Sequence, residues 1–207
     1  MFALTTVHLS GSILDCAAGP ASFNAELTAG GHEVTSCDPL YRSTAVEILS
    51  RVQDAYDTMV ANVRTAHHEF VWREFSSPED LGEARMAAME TFLDDFPRGT
   101  AEGRYLDLSL PHLGFRDRAF DLVLCSHFLF TYSDRLSTEF HVASIEEMCR
   151  VATETRVFPL LKSYGGPSPH LEPAIDILRG RGYRVEIRRV PYEFQRGRDV
   201  MLVASGA

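Results

Sequence analysis

Most of the residues able to do chemistry fall in one stretch, GSILDCAAGPASFNAELTAGGHEVTSCD, from Gly11 to Asp38. Two carboxylates mark it. Asp15 lies in the apolar run Ser12 to Cys16 and is followed by Ala17, Ala18, Gly19, Pro20 and Ala21. These five are small or turn-forming, so backbone can approach a ligand there without side-chain obstruction. Asp38 follows Gly19 by nineteen residues, close to the spacing at which a nucleotide-binding fold sets a carboxylate on ribose hydroxyls. The plainer readings are that Asp15 caps the next helix and that Asp38, before Pro39, merely starts a turn.

A second group follows a later apolar run: Ser126, His127, Tyr132 and Asp134. An imidazole can take a proton from a hydroxyl or an amine near neutral pH, so His127 is the candidate general base. Tyr132 and Asp134 are candidates for orienting an acceptor, with His170 and Glu193 expected at the same edge. The plainer reading of His127 is a histidine satisfied by hydrogen bonds in a half-buried loop. His67-His68-Glu69 is not read as a metal site, because adjacent histidines rarely bind one ion together. Cys16, Cys37, Cys125 and Cys149 show neither a CxxC pair nor metal-ligand spacing, and a free thiol in an apolar run packs as a small hydrophobe. No metal is expected.

These groups need elements to hold them. The periodicity predicts a strand to Cys16, a helix over Ala21 to Ala29 stopped by Gly30-Gly31, and a strand over Glu33 to Cys37. Thr44 to Arg64 carries an apolar stripe at helical spacing through Leu49, Val52, Tyr56, Met59, Val60 and Val63. After the aromatic connector His67 to Phe75, Ser77-Pro78-Glu79-Asp80 starts another helix, with a capping serine, proline at the first position and acids near the positive dipole end. Pro97-Arg98-Gly99 is expected to end it. Residues 42–100 thus form a helical insertion, and insertions at the carboxyl edge of an open sheet often cover a ligand.

Tyr105 to Leu108 reads as the third strand. Ala119 to Ser126 is the apolar run expected of a central parallel strand buried on both faces. A helix over Ser137 to Arg150, a strand over Glu154 to Leu161 and a helix over Pro169 to Arg181 follow. Tyr183 to Val190 and Asp199 to Ala204 make an antiparallel pair. The expected fold is α/β: a doubly wound, mostly parallel, Rossmann-like sheet with an antiparallel C-terminal strand and a helical insertion after the second strand. It is read as a single domain over 1–207, with 42–100 as a lid.

A net charge of −9 and a pI near 5.3 leave no broad basic surface, so nucleic acid is disfavoured as a partner. The first ten residues lack the basic and apolar regions of a leader, and no run approaches a membrane span. No membrane partner and a cytoplasmic location are expected.

The choice of cofactor turns on the glycines. A dinucleotide site uses G-x-G-x-x-G so that a pyrophosphate can sit on the helix N-terminus. Here Gly19 is the only glycine of the turn, and Asp15 would repel a pyrophosphate while suiting a ligand with an ammonium group. LDCAAGPASF resembles the first motif of class I S-adenosylmethionine (SAM)-dependent methyltransferases, and Asp38 matches their acidic residue after the second strand. The run from Asp107 through LSLPHLGFRDRAFDLVLCSHFLFTYSD is similar to their "D…LPF…FDLV" segment. With CDPLY, FPLL and PYEFQRG, the chain resembles a bacterial methyltransferase-like group of unknown substrate.

That resemblance implies a SAM-dependent methyltransferase with SAM as cofactor. Asp15, Ala17, Gly19 and Ala21 would line its methionine end, and Asp38 its ribose. Pro39 and Leu40 would flank the adenine, Asp107 and Leu108 would meet it, and Ser126 and His127 would face the methyl group. Two glycines of the family pattern are Ala17 and Ala21 here, which narrows the space. The acidic charge and aromatic insertion favour a small-molecule methyl acceptor, and the absence of Asn/Asp-Pro-Pro-Tyr after the fourth strand argues against DNA amino-methylation. Related enzymes close over the cofactor with N-terminal helices, so the insertion, or a second subunit in a homodimer, is expected to replace them. The alternatives are a catalytically silent SAM- or protein-binding module and, more remotely, a NAD(P)-dependent oxidoreductase. The latter wants Tyr-x-x-x-Lys, whereas Lys162 is the sole lysine and residue 158 is Phe158.

Overall fold

The computed structural model describes residues 1–163 and 166–206. Seven strands form one sheet in the order β3-β2-β1-β4-β5-β7-β6: β1 (Ile13–Cys16), β2 (Val34–Cys37), β3 (Tyr105–Leu106), β4 (Phe120–Ser126), β5 (Ala152–Phe158), β6 (Arg184–Arg189) and β7 (Val200–Ser205). The pairs from β3 through β5 are parallel, and β7 runs antiparallel between β5 and β6. The expected fold class is what the structure has.

Side chains alternate across the pleat and so build two cores. Ile13, Leu122 and Leu124 face one side with Phe2, Phe158, Met201 and the partly buried Phe23. Leu14, Val123 and Cys125 face the other. There they meet Val142, Ile145 and Met148 of α5 (Thr138–Val151) and Ala174, Ile175 and Leu178 of α6 (Leu171–Gly180). Buried on both faces, β4 becomes the apolar run seen in the sequence. Before β1 lies a single helical turn, α1 (Thr6–Leu9), and between β1 and β2 the short α2 (Phe23–Ala29).

The insertion holds α3 (Ala45–Thr65) and α4 (Pro78–Ala101). Here the expected stop fails: α4 runs through Pro97 and Gly99 to Ala101 and ends before Gly103, whose φ is 75°. A proline interior to a helix forfeits a backbone bond and ordinarily breaks it, but tertiary bonds hold this turn. Asp95 accepts from Arg98 (2.6 Å), Arg104 (2.7 Å) and the Tyr105 hydroxyl (3.0 Å). Hydrogen bonding from Arg104, ahead of Arg98 and Tyr105, holds that carboxyl far below the usual range. Gly99 is needed because a Cβ there would stand 2.4 Å from the Tyr105 ring.

Other boundaries move too, and β5 spans Ala152–Phe158 instead of Glu154 to Leu161. The third strand is only two residues long, because the Leu108 N–H turns back to the Leu106 carbonyl at 2.9 Å. Helix α6 starts at Leu171, since Ser168 Oγ accepts from the His170 N–H (3.1 Å) and leaves Pro169 outside the helix.

The insertion is tied to the sheet at both sides. Ile48, Phe92 and Phe96 pack with Tyr41 and Tyr105 beside β3. At the other side the Val71 N–H donates to the Phe194 carbonyl and the Arg196 N–H to the Glu69 carbonyl, each at 2.8 Å, while Phe70, Trp72 and Phe75 gather round Phe194. No helix among the described residues is long and apolar enough to cross a membrane.

Candidate active site

Strand order reverses between β1 and β4, and ligands of open α/β sheets bind beyond the carboxyl ends of strands at such a point. Cys16 pairs with Cys125 there. Just past them, both chains turn sharply: Ala17 has φ 54° and His127 φ 52°, left-handed values that cost an L-residue roughly 1–2 kcal/mol. Ala17 and His127 consequently stand together as a partition between two chambers, and both line each one.

The larger chamber, about 740 Å³, has Asp15, Ala21 and Ser126 among its walls. Asp15 is only 6% exposed. Nothing among the described residues donates a hydrogen bond to its carboxylate, so it caps no helix. Burial, and secondarily repulsion from Asp38, push its pKa up from 3.8 to about 7. A buried carboxylate open only to a cavity is a place for a cation.

The smaller chamber, about 400 Å³, is lined by Gly19, Asp38, Pro39, Leu108 and Tyr132. Asp38 Oδ2 accepts from the Gly19 N–H (3.0 Å) and Oδ1 from the Leu40 N–H (2.8 Å). It is thus both the turn residue of the plainer reading and a wall of the chamber. Tyr41 fixes the loop by donating to the Gly19 carbonyl at 2.8 Å.

His127 donates its backbone N–H to the Phe158 carbonyl (2.7 Å), and its Nδ1 lies 2.8 Å from Ser126 Oγ. Its ring opens on the chambers. Desolvation by the surrounding walls, then the charges of Arg198 and Arg85, push its pKa down to about 4. The imidazole is therefore neutral near pH 7, and the same shift makes it a weaker proton acceptor than an ordinary histidine.

Not every expected residue joins the cluster. Leu40 packs with the aromatic group around Tyr41 and Phe92 instead of facing a chamber. Asp107 pairs with Arg42 at 3.1 Å and Asp134 with Lys162 at 2.8 Å, both exposed and outside both linings. Tyr132 reaches the smaller chamber but is 44% exposed. His170 bonds to Thr138 and to the Ser133 carbonyl, and Glu193 accepts from the Gly197 N–H; neither lines a chamber. Among the described residues no group of His, Cys, Asp and Glu could hold a metal ion.

The sequence reading also missed walls. Phe2, Leu4, Phe23 and Leu124 line the larger chamber, and Ser109, Leu110 and Phe128 the smaller. The signal was weak because an apolar residue facing a cavity looks, in sequence, like any core residue. Phe23 alone offered a hint, since it opens the helix after the small-residue turn.

No family model matches the chain. An uncharacterized protein of Methanocaldococcus jannaschii is 32% identical over 204 residues, covering 98% of this chain and 89% of the relative. That relative is archaeal, so the resemblance is not confined to bacteria. Among solved structures, a TehB-like SAM-dependent methyltransferase from Corynebacterium glutamicum aligns at TM-score 0.50 and 13% identity, over 96% of this chain and 81% of its own. The magnesium protoporphyrin IX methyltransferase of Synechocystis, solved with bound SAM, aligns at TM-score 0.47 and 18% identity over 98% and 73%. The chain belongs to the family of the M. jannaschii protein, and its fold is that of the class I SAM-dependent methyltransferases.

Proposed function

We propose that this protein is a SAM-dependent methyltransferase with a small-molecule acceptor, acting in the cytoplasm. The observation that carries the reading is Asp15: a buried carboxylate on the wall of a cavity, with no hydrogen-bond donor among the described residues, matched to an ammonium group. Asp15 would hold the amino group of SAM and Asp38 its ribose hydroxyls, while Pro39 and Leu108 would wall the adenosine in the smaller chamber. When bound, the cofactor supplies an electrophilic methyl group that an acceptor attacks in line with the departing sulfur. The chain's own part is chiefly orientation, for which well-placed reactants gain roughly 7–11 kcal/mol over free encounter. His127 would take the acceptor's proton where the acceptor has one to lose. Residues 42–100, tied at both sides of the sheet's carboxyl edge, would act as a lid within one domain.

Calorimetry with SAM, its demethylated product S-adenosylhomocysteine (SAH) and NAD tests the cofactor. SAM and SAH should bind and NAD should not; binding of NAD alone would sink the reading. On an acceptor found by turnover screening, His127→Ala should lower kcat and leave SAH affinity within about twofold. Unchanged turnover would remove His127 as the base.

A further inference from the structure

Arg156 is a large cation in the wrong place for a surface residue. It projects from β5, directly opposite Leu124 of β4, and is 2% exposed. Its guanidinium donates to the Phe2 carbonyl (2.6 Å) and the Ala3 carbonyl (3.3 Å), lies 2.6 Å from His8 Nε2, and pairs with Glu154 at 2.6 Å. Ala3 takes a left-handed φ of 48°, a bend ordinarily disfavoured for alanine. The bend presents consecutive carbonyls to one guanidinium. Phe2 then stands edge-on to Phe158, ring centroids 6.2 Å apart, and Phe2, Ala3 and Leu4 become one wall of the larger chamber.

The walls of that chamber have a consistent chemistry. Phe2, Leu4, Phe23 and Leu124 are apolar, and Asp15, Ser126 and His127 are the polar side chains. No lysine or arginine is among its described lining residues, burial lowers the pKa of the amino group of Met1, which also lines it, and the apolar walls offer an anion little in place of the water it gives up. Arg85 and Arg198 act on His127 but lie outside both linings.

We infer that the segment Phe2 to Leu4, clamped by the positioning residue Arg156, is the specificity wall of the acceptor site, which admits neutral, apolar molecules and excludes anionic ones. This rests on the cofactor reading above, since SAM is taken to fill the Asp38 chamber and the Asp15 side of the larger one.

The test compares 2-naphthol with 2-naphthol-6-sulfonate, which share the naphthol ring and differ by an anionic sulfonate, as fluorescence-titrated ligands of SAH-loaded protein. Wild type should bind 2-naphthol at least tenfold more tightly than the sulfonate. Phe2→Ala, which keeps the clamp and removes the wall, should weaken 2-naphthol at least fivefold and, in SAH-free protein, leave adenosine affinity within twofold. Arg156→Gln should do the same and also lose hydrogen-exchange protection at residues 2–8. Equal binding of the two naphthols, or a Phe2→Ala variant that binds 2-naphthol like wild type, overturns the inference while SAH binding still stands. Failure of wild type to bind SAH overturns the cofactor reading and this inference with it.

Discussion

Replacing Asp15 by asparagine should stabilise the free protein at alkaline pH and weaken its hold on SAM. The folded carboxyl titrates near 7, against 3.8 for the unfolded one. Below 3.8 both states are protonated and Asp15 costs nothing. As pH rises from about 4 to 7 the unfolded chain releases a proton that the folded chain keeps, so stability falls by about 1.36 kcal/mol per pH unit. Above 7 both are ionised and the accumulated cost is constant, roughly 4 kcal/mol. That is a large share of the ~5–15 kcal/mol typical of a domain. Asp15→Asn has no such titration. Urea unfolding followed by circular dichroism should find the variant close to wild type at pH 4 and about 2–4 kcal/mol more stable at pH 8. Binding should move the other way. A cationic amino group favours ionised Asp15, so wild-type affinity for SAM should weaken as pH falls below 7, by up to about tenfold per unit, and the variant's should stay flat. Parallel stability curves for the two proteins between pH 4 and 7 would refute the burial argument.

Asp38→Ala removes the acceptor for two backbone N–H groups and the proposed ribose contact; SAH and adenosine affinity should each fall at least tenfold by calorimetry. Ala17→Gly relieves a left-handed alanine, offset in part by the greater freedom of unfolded glycine, and should raise stability by up to about 1 kcal/mol, or roughly 2–4 °C in Tm for a chain of this size. Gly99→Ala drives a methyl group into the Tyr105 ring and should cost about 1–3 kcal/mol in urea unfolding, as overpacking does. Asp134→Asn breaks an exposed pair with Lys162, worth about 0–1 kcal/mol, and should leave SAH affinity unchanged.

The order of strands and helices was legible because it rests on local patterns. Two-sided burial made β4 a continuous apolar run, an apolar stripe and the Ser77 cap placed α3 and α4 where expected, and small residues marked the turn after β1. Asp15, Asp38 and His127 were legible as chemistry for the same reason: each is a polar residue at the end of an apolar strand. Local rules failed where distant groups outweighed them. Pro97 did not stop its helix, because the Asp95 cluster, built with Arg104 and Tyr105 from beyond it, held the turn. Only the tertiary structure could set Ala17 against His127 as a partition, since they are joined by pairing between β1 and β4 and not by sequence. It likewise decided that Leu40 turns to the aromatic cluster, that Asp107 and Asp134 point elsewhere, and that Phe2 to Leu4 face a cavity. The protonation of Asp15 belongs to that level too. A residue's type says that it can carry charge, but the surrounding dielectric and the neighbouring Asp38 decide whether it does.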